Sequence, residues 1–238
     1  MASRIQAYYQ KHDDYRRYLM SHSERRRDLA RFFSENRRFF GHWILDIACG
    51  GGILGFLAEE EGRRYVGIDI NPDAISAAQD YAQSHGSGCW FVLGDAREVK
   101  MTGSFDTVVL LGNSLCHFNT AEFAEILDNL RKNVRRGSYF IVDYRDVVQI
   151  LYRRGWAHRF RQTREGRPVV SVTKMLDSVK GELVIDSQSA GGRRQLEVTH
   201  GVWSPFIVEP IMASRGWSLV RRRFDRTRFR WTEVYRRG

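Results

Sequence analysis

The sequence predicts an α/β fold, in which helices cover both faces of a mostly parallel sheet. Short apolar segments alternate with helical stretches from Trp43 onward, and capping residues mark the start of two helices. The chain has 238 residues, of which 42% are hydrophobic, so it can bury a core of its own. No internal repeat interrupts the pattern, and we expect one domain over residues 1–238.

The predicted domain begins with a helical cap at residues 1–41, because Leu29, Phe32 and Phe33 form an apolar stripe between charged positions. A core at residues 42–145 follows, in which strands and helices alternate. Strands are predicted at 43–48, 65–70, 90–93, 107–111 and 139–142, and helices begin at Ile53, Pro72 and Thr120.

Capping residues support two of these helices. Asn71 precedes Pro72, a residue that suits the first helical position because it lacks an amide hydrogen. Asn119 and Glu122 have the spacing of a capping box. We expect this second helix to continue through Val134 and to end at Gly137.

Residues 146–203 predict a β-rich insertion that acts as a lid on the site, with strands at 169–176, 182–186 and 195–202. A helix beginning at Ser204 and Pro205, and two strands at 218–223 and 229–235, then complete the domain at residues 204–238.

Composition excludes several classes of protein. No segment approaches the roughly 18 consecutive apolar residues of a membrane span, and the amino terminus lacks the apolar region of a secretory signal, so we expect a cytoplasmic protein. The three cysteines show neither disulfide nor metal-binding spacing, and no metal site is predicted.

The net charge of +10 lies at the two ends of the chain. Such arginines are typical of a solvated face, so we do not expect nucleic-acid binding.

A glycine-rich loop follows the first strand of the core. Gly50, Gly52 and Gly55 satisfy the spacing G-x-G-x-x-G, which lets a backbone turn tightly and approach a nucleotide-like cofactor at a helix start. The pattern alone also fits NAD enzymes. The lack of a Lys-Ser/Thr pair after the glycines excludes a phosphate-binding P-loop.

Three acidic residues end three consecutive strands. Asp46 precedes the glycines, where its charge would repel a pyrophosphate but attract the ammonium and sulfonium of S-adenosylmethionine. Asp69 ends the second strand, where such folds place a carboxylate against ribose hydroxyls. Asp95 follows the third strand, within reach of an adenine edge. These acids favour S-adenosylmethionine over NAD as the cofactor.

These segments together resemble the class I S-adenosylmethionine-dependent methyltransferases. The matching motifs are Leu-Asp-Ile-Ala-Cys-Gly-Gly-Gly at 45–52, Gly-Ile-Asp at 67–69, Gly-Asp-Ala at 94–96 and Phe-Asp-Thr-Val-Val at 105–109. The segments at 111–118 and 142–146 resemble glycine and glycine/sarcosine N-methyltransferases more narrowly. The resemblance implies a Rossmann-like sheet with an antiparallel terminal strand, and cofactor contacts from Arg25, Ala48, Ile70, Ala96 and Leu111.

The acceptor is expected at the carboxyl ends of the fourth and fifth strands, where Asn113, His117, Tyr144 and Arg145 lie. The resemblance implies that Asn113 and Arg145 hold an amino-acid acceptor, with the arginine on its carboxylate. His117 would orient the substrate, act as a base, or serve a structural role. Tyr18 would face the acceptor.

The sequence therefore predicts methyl transfer from S-adenosylmethionine to a small molecule, foremost the nitrogen of an amino acid or other small amine. An amino-sugar N-methyltransferase and a small-molecule O-methyltransferase are the alternatives, because Phe160 and Ser187 stand where glycine enzymes carry tyrosines. An NAD oxidoreductase and a nucleic-acid methyltransferase or binding module rank lower. A homo-oligomer is left open.

Overall fold

The computed structural model describes residues 23–154, 159–164, 167–189 and 194–238. The expected α/β class is confirmed by a seven-stranded central sheet in the order β10-β11-β5-β4-β1-β2-β3. Strands β1 to β5 run parallel to one another, and β11 is antiparallel to both of its neighbours, β10 and β5. The strands of this sheet are β1 (Trp43–Ile47), β2 (Arg64–Asp69), β3 (Trp90–Leu93), β4 (Phe105–Leu110), β5 (Val134–Arg145), β10 (Trp217–Asp225) and β11 (Arg230–Arg237).

Six helices accompany the sheet within the described residues: α1 (Ser23–Glu35), α2 (Ile53–Glu60), α3 (Pro72–Ser84), α4 (Thr120–Asn129), α5 (Val147–Arg154) and α6 (Pro205–Ala213). Alternate strand residues enter opposite cores, since Ile44 packs in one buried cluster and Leu45 in the other. Among these helices, none has the length and apolarity needed to cross a membrane. Residues 1–22 of the predicted helical cap lie outside the described residues.

Both predicted helix caps are present. The Asn71 side chain accepts hydrogen bonds from the amides of Asp73 and Ala74, at 2.9 and 3.4 Å. Asn119 and Glu122 exchange side-chain to backbone hydrogen bonds of 3.0 and 2.9 Å, which completes a capping box.

The expected extension of α4 to Gly137 is wrong. The helix ends at Asn129, a 3₁₀ turn covers Leu130–Lys132, and Val134 already pairs with Phe105 in the sheet. The Asn133 side chain donates to the carbonyls of Met101 and Gly103, at 2.8 and 3.1 Å. This anchor and the strand pairing outweigh the helical spacing of the apolar residues.

The β-rich region is a separate antiparallel sheet in the order β6-β7-β8-β9, with one strand more than predicted. Its strands are β6 (Arg159–Arg164), β7 (Arg167–Asp177), β8 (Glu182–Ser189) and β9 (Arg194–Gly201). Helix α5 before this sheet was also not predicted. Asp146 caps it by accepting from the Gln149 amide at 3.0 Å, and the same carboxylate accepts from the Trp231 indole at 2.8 Å.

We expect Asn119→Ala to destabilise the protein by about 1–2 kcal/mol, because it removes a helix cap. It also removes the 3.2 Å hydrogen bond from Asn119 Nδ2 to Glu182, which joins the second sheet to α4. Urea unfolding measures the change, with the exposed neighbour Thr120→Ala as a control expected to stay within about 0.5 kcal/mol of the parent. Equal effects of the two substitutions would contradict this role of the cap.

Candidate active site at the carboxyl edge of the sheet

The loop after β1 turns sharply through left-handed backbone conformations. Ala48, Gly50 and Gly52 have φ angles of 56°, 55° and 74°. A methyl group at Gly52 would lie 2.2 Å from the Phe91 ring, so glycine is required there by both backbone and space. The loop thus brings its backbone to the start of α2, as the glycine spacing predicted.

Asp46 lies buried at the end of β1, with a 5% exposed surface. The Tyr65 hydroxyl on β2 donates a 2.7 Å hydrogen bond to Asp46 Oδ2. Burial raises the pKa of Asp46 to about 7, against the opposing effect of Tyr65 and with a further contribution from the charge of Asp69. The carboxylate is therefore poised to ionise fully when a cation approaches.

Asp69 closes the loop at the end of β2. Its Oδ2 accepts from the Gly50 amide at 2.7 Å, and its Oδ1 accepts from the Asn71 amide at 2.9 Å. Burial raises the pKa of Asp69, and these backbone donors oppose that effect. The Ile70 amide is a third backbone donor to Asp69, and a carboxylate with about four lone-pair sites can still accept a ribose hydroxyl.

The Asp95 carboxylate already forms an ion pair within the protein. It forms a forked ion pair with Arg97, with Nε at 2.9 and 3.1 Å from the two carboxylate oxygens. Arg97 also pairs with Glu122 of the capping box at 2.5 Å. Burial alone would raise the pKa of Asp95, but the hydrogen bonds and charge of Arg97 bring it below its ordinary value. The predicted adenine contact of Asp95 stays a prediction.

Arg25 reaches this edge from α1. A methyl group at Gly112 would lie 3.0 Å from Arg25 Nη2, and the Arg25 charge acts on Asp46 by lowering the pKa of that carboxyl. The guanidinium is thus between the ends of β1 and β4. The structure therefore joins Arg25 to the predicted cofactor residues, although the sequence placed it in a run of three arginines.

Asn113 and Arg145 meet at the ends of β4 and β5. Asn113 adopts a left-handed conformation with φ 65°. Its side-chain oxygen accepts a hydrogen bond from the Arg145 backbone amide at 2.7 Å, and its backbone amide donates a hydrogen bond to the Asp143 carboxylate at 2.6 Å. Asp143 is buried and also pairs with Arg230 at 3.2 Å. These contacts fix the Asn113 side chain and leave the exposed Arg145 side chain at the same edge.

His117 lies in the 3₁₀ turn Ser114–His117 and packs against His200 of β9. The two ring centroids are 5.6 Å apart and nearly perpendicular. Burial lowers the pKa of His117 to about 4. Within the described residues, one group could share a metal ion: Cys116, His117 and His200 each offer a ligand atom, and these atoms lie within 4.8 Å of one another.

The remaining predicted residues differ in their surroundings. Tyr144 is fully buried in the core, so it has the packing role that its sequence position also allowed. It faces away from Asp143 and Arg145 because side chains alternate along β5. Ile70 is partly exposed after β2, whereas Ala96 and Leu111 are buried. Tyr18 lies outside the described residues, as do the side chains of Phe160 and Ser187.

Sequence reasoning missed three residues: Tyr65, Asp143 and His200. Tyr65 and His200 lie within predicted strands and Asp143 directly follows one, so their residue types showed no special role. The apolar alternation of these strands offered one signal, since a tyrosine hydroxyl or a carboxylate on a buried face needs a partner.

Known proteins resemble this chain over the same elements. Residues 44–137 match the family model described as a methyltransferase domain. Glycine N-methyltransferase from Oryctolagus cuniculus is 27% identical over 124 residues, which cover 45% of this chain and 42% of the rabbit enzyme.

Residues 44–137 match a methyltransferase domain, and the matches together support a class I S-adenosylmethionine-dependent methyltransferase.

Solved methyltransferases share the fold of this domain over most of the chain. The CcbJ methyltransferase from Streptomyces caelestis has a TM-score of 0.73 and 18% identity, and covers 89% of this chain and 90% of its own. CalS10 from Micromonospora echinaspora, an amino pentose methyltransferase, has a TM-score of 0.63 and 15% identity, with coverage of 90% and 91%. The chain spans less than half the length of the curated glycine enzymes that it matches.

We expect the affinity of the methyltransferase domain for S-adenosylmethionine to fall as the pH drops below about 7. Asp46 is increasingly protonated there, and a neutral carboxyl no longer attracts the cationic cofactor. The dissociation constant should rise by up to about tenfold per pH unit. Calorimetric titration without acceptor measures it.

In this experiment Asp46→Asn should bind weakly at every pH, and the exposed Asp80→Asn should follow the parent. An Asp46→Asn variant with the pH profile of the parent would show that another group is responsible.

We expect Tyr65→Phe to weaken cofactor binding at pH 7 by about tenfold or more, since it removes a hydrogen bond to a buried carboxylate. The midpoint of the pH profile should also move upward, because Tyr65 lowers the pKa of Asp46. Tyr81→Phe loses the same hydroxyl from helix α3 and is the control. A reduced affinity with an unshifted midpoint would contradict the link between Tyr65 and Asp46.

Proposed function

We propose that this protein transfers the methyl group of S-adenosylmethionine to a small-molecule acceptor, and that the accepting atom is an amine nitrogen. One observation supports the proposal most directly. Carboxylates at the ends of β1 and β2 share an edge of the sheet with the Asn113–Arg145 pair at the ends of β4 and β5. Groups suited to a cationic nucleoside thus adjoin groups suited to a polar acceptor.

On the cofactor side, Asp46 attracts the ammonium and Asp69 accepts the ribose hydroxyls. Arg25 supplies the opposite charge for the carboxylate of the methionine portion, near the backbone of Gly112. The proposed lining is completed by Ala48, Gly50, Gly52, Ile70, Asp95, Ala96 and Leu111.

On the acceptor side, Asn113 has one orientation. Because its side-chain oxygen accepts from the Arg145 amide, its Nδ2 group is the atom that faces other partners, and it donates. Arg145 likewise only donates. Both side chains therefore suit an acceptor with a carboxylate or with hydroxyl oxygens, and the amine is left to face the methyl group.

Methyl transfer is an in-line displacement at a sulfonium, so the methyl carbon is already activated. The nitrogen lone pair forms the new bond as the carbon–sulfur bond breaks, and S-adenosylhomocysteine leaves neutral at sulfur. The protein must align the lone pair and exclude water. The amine gives up one proton to solvent before or after transfer, so no nucleophile of the protein is required.

An amino sugar is the second candidate acceptor. His117 and His200 add two imidazoles beside the Asn113 turn, and imidazoles can hydrogen-bond sugar hydroxyls. CalS10 also shares the fold over most of both chains, although a shared fold alone does not identify a substrate. The second sheet, β6 to β9, would serve as the lid for either acceptor.

A pooled screen of amino acids, other small amines and amino sugars with a labelled methyl donor tests the proposal. We expect label in one or a few small molecules, and none in products made with the Asp69→Ala variant. Label transferred only to RNA or protein, or to no acceptor although S-adenosylmethionine binds, would contradict it.

Once an acceptor is known, Arg145→Ala should lower kcat/KM by about 10–100-fold, mainly through a higher KM, because a charged hydrogen-bond donor is lost. The dissociation constant of S-adenosylmethionine should stay within about twofold. Arg136→Ala, an exposed arginine of the same strand, is the control. Loss of cofactor binding in Arg145→Ala would assign the arginine to the cofactor instead.

A further inference from the structure

The turn after β4 is held tightly against β9. The Trp203 indole donates a 3.1 Å hydrogen bond to the Phe118 carbonyl. A methyl group at Gly201 would lie 2.1 Å from that same oxygen, so the two backbones approach as closely as glycine permits. These two contacts therefore hold residues 116–118 close to residue 200, and neither contact involves the side chains of Cys116, His117 or His200.

This close approach brings a thiol and two imidazoles together. Cys116 is buried with 7% exposure, and His117 and His200 are partly buried. One ligand atom from each lies within 4.8 Å of the other two. Cysteine and histidine are the ligands that zinc and related transition metals prefer, whereas magnesium and calcium prefer oxygen.

We propose that Cys116, His117 and His200 form a binding site for a single transition-metal dication of the zinc class. Zinc–sulfur and zinc–nitrogen bonds of about 2.3 and 2.0–2.1 Å place tetrahedral ligands roughly 3.5 Å apart. The three atoms lie within 4.8 Å of one another, so side-chain movements of about 1 Å would bring them to that spacing. Three protein ligands leave a fourth position for water or for a donor atom of a bound molecule, as in catalytic zinc sites.

The surrounding charges are compatible with such a site. Arg145 and Asp143 both lie near enough to Cys116 to act on its thiol electrostatically, with opposite signs. Their charges offset one another, so a thiolate and a dication add one net positive charge at the edge of the acceptor region. The site goes beyond the proposed methyl transfer, because metal binding requires neither the cofactor nor an acceptor.

Cobalt(II) titration of the full, tag-free chain tests the site. Protein treated with a chelator should bind one equivalent of Co²⁺ and show a thiolate-to-cobalt charge-transfer band, which Zn²⁺ then removes by displacement. Cys116→Ser should abolish the band. His200→Ala should weaken metal binding by more than about 100-fold, since even the loss of an outer-shell partner costs 10–100-fold.

Matched controls separate this site from incidental binding. Cys89→Ser and His85→Ala change the same residue types elsewhere, and should keep the band and the affinity of the parent. Circular dichroism verifies that each variant is folded, and Cys116→Ala replaces the serine variant if that one is not. No band in the parent, or a band that survives in folded Cys116 variants, would overturn the proposal. Neither outcome bears on methyl transfer, which the labelled-methyl screen tests separately.

Discussion

The buried carboxylate of Asp46 is the constraint on which the proposed cofactor side of the site depends. A carboxylate withdrawn from water is costly unless a donor compensates it. Here the donor is Tyr65, which comes from the neighbouring strand because β1 and β2 pair in parallel with Ile44 opposite Tyr65. A shift of one residue in that register would turn Tyr65 to the other face of the sheet. The position of this buried carboxylate and of its donor is thus fixed by the sheet itself.

Asp143 has the corresponding role on the proposed acceptor side. It is also buried, and it accepts from the Asn113 amide and from Arg230 of the antiparallel strand β11. These partners explain why Asn113 holds a left-handed conformation that costs energy for residues other than glycine. Two buried carboxylates on neighbouring parts of one sheet therefore organise the two halves of the proposed site.

Two hydrogen bonds near this edge join the central domain to the second sheet and to the segment that directly follows it. The Asn119 side chain reaches Glu182, and Trp203 reaches the Phe118 carbonyl. Asn119 and Glu122 also form the capping box, and Glu122 pairs with the Arg97 that binds Asp95. A single chain of polar contacts thus connects the loop after β3, the start of α4 and the strands that would cover an acceptor.

The sequence by itself determined the alternation of strands and helices and the starts of α2, α3 and α4. It also determined the acidic residues and glycines at the strand ends. These features are predictable because periodicity, caps and turns depend on near neighbours in the chain. It misjudged the end of α4 and missed α5 and β6. Only the tertiary structure decided that Tyr65 supports Asp46, that Asp143 supports Asn113, and that His200 joins Cys116 and His117. Those contacts join residues far apart in sequence, and they depend on strand register and on the docking of the second sheet, which local patterns do not encode.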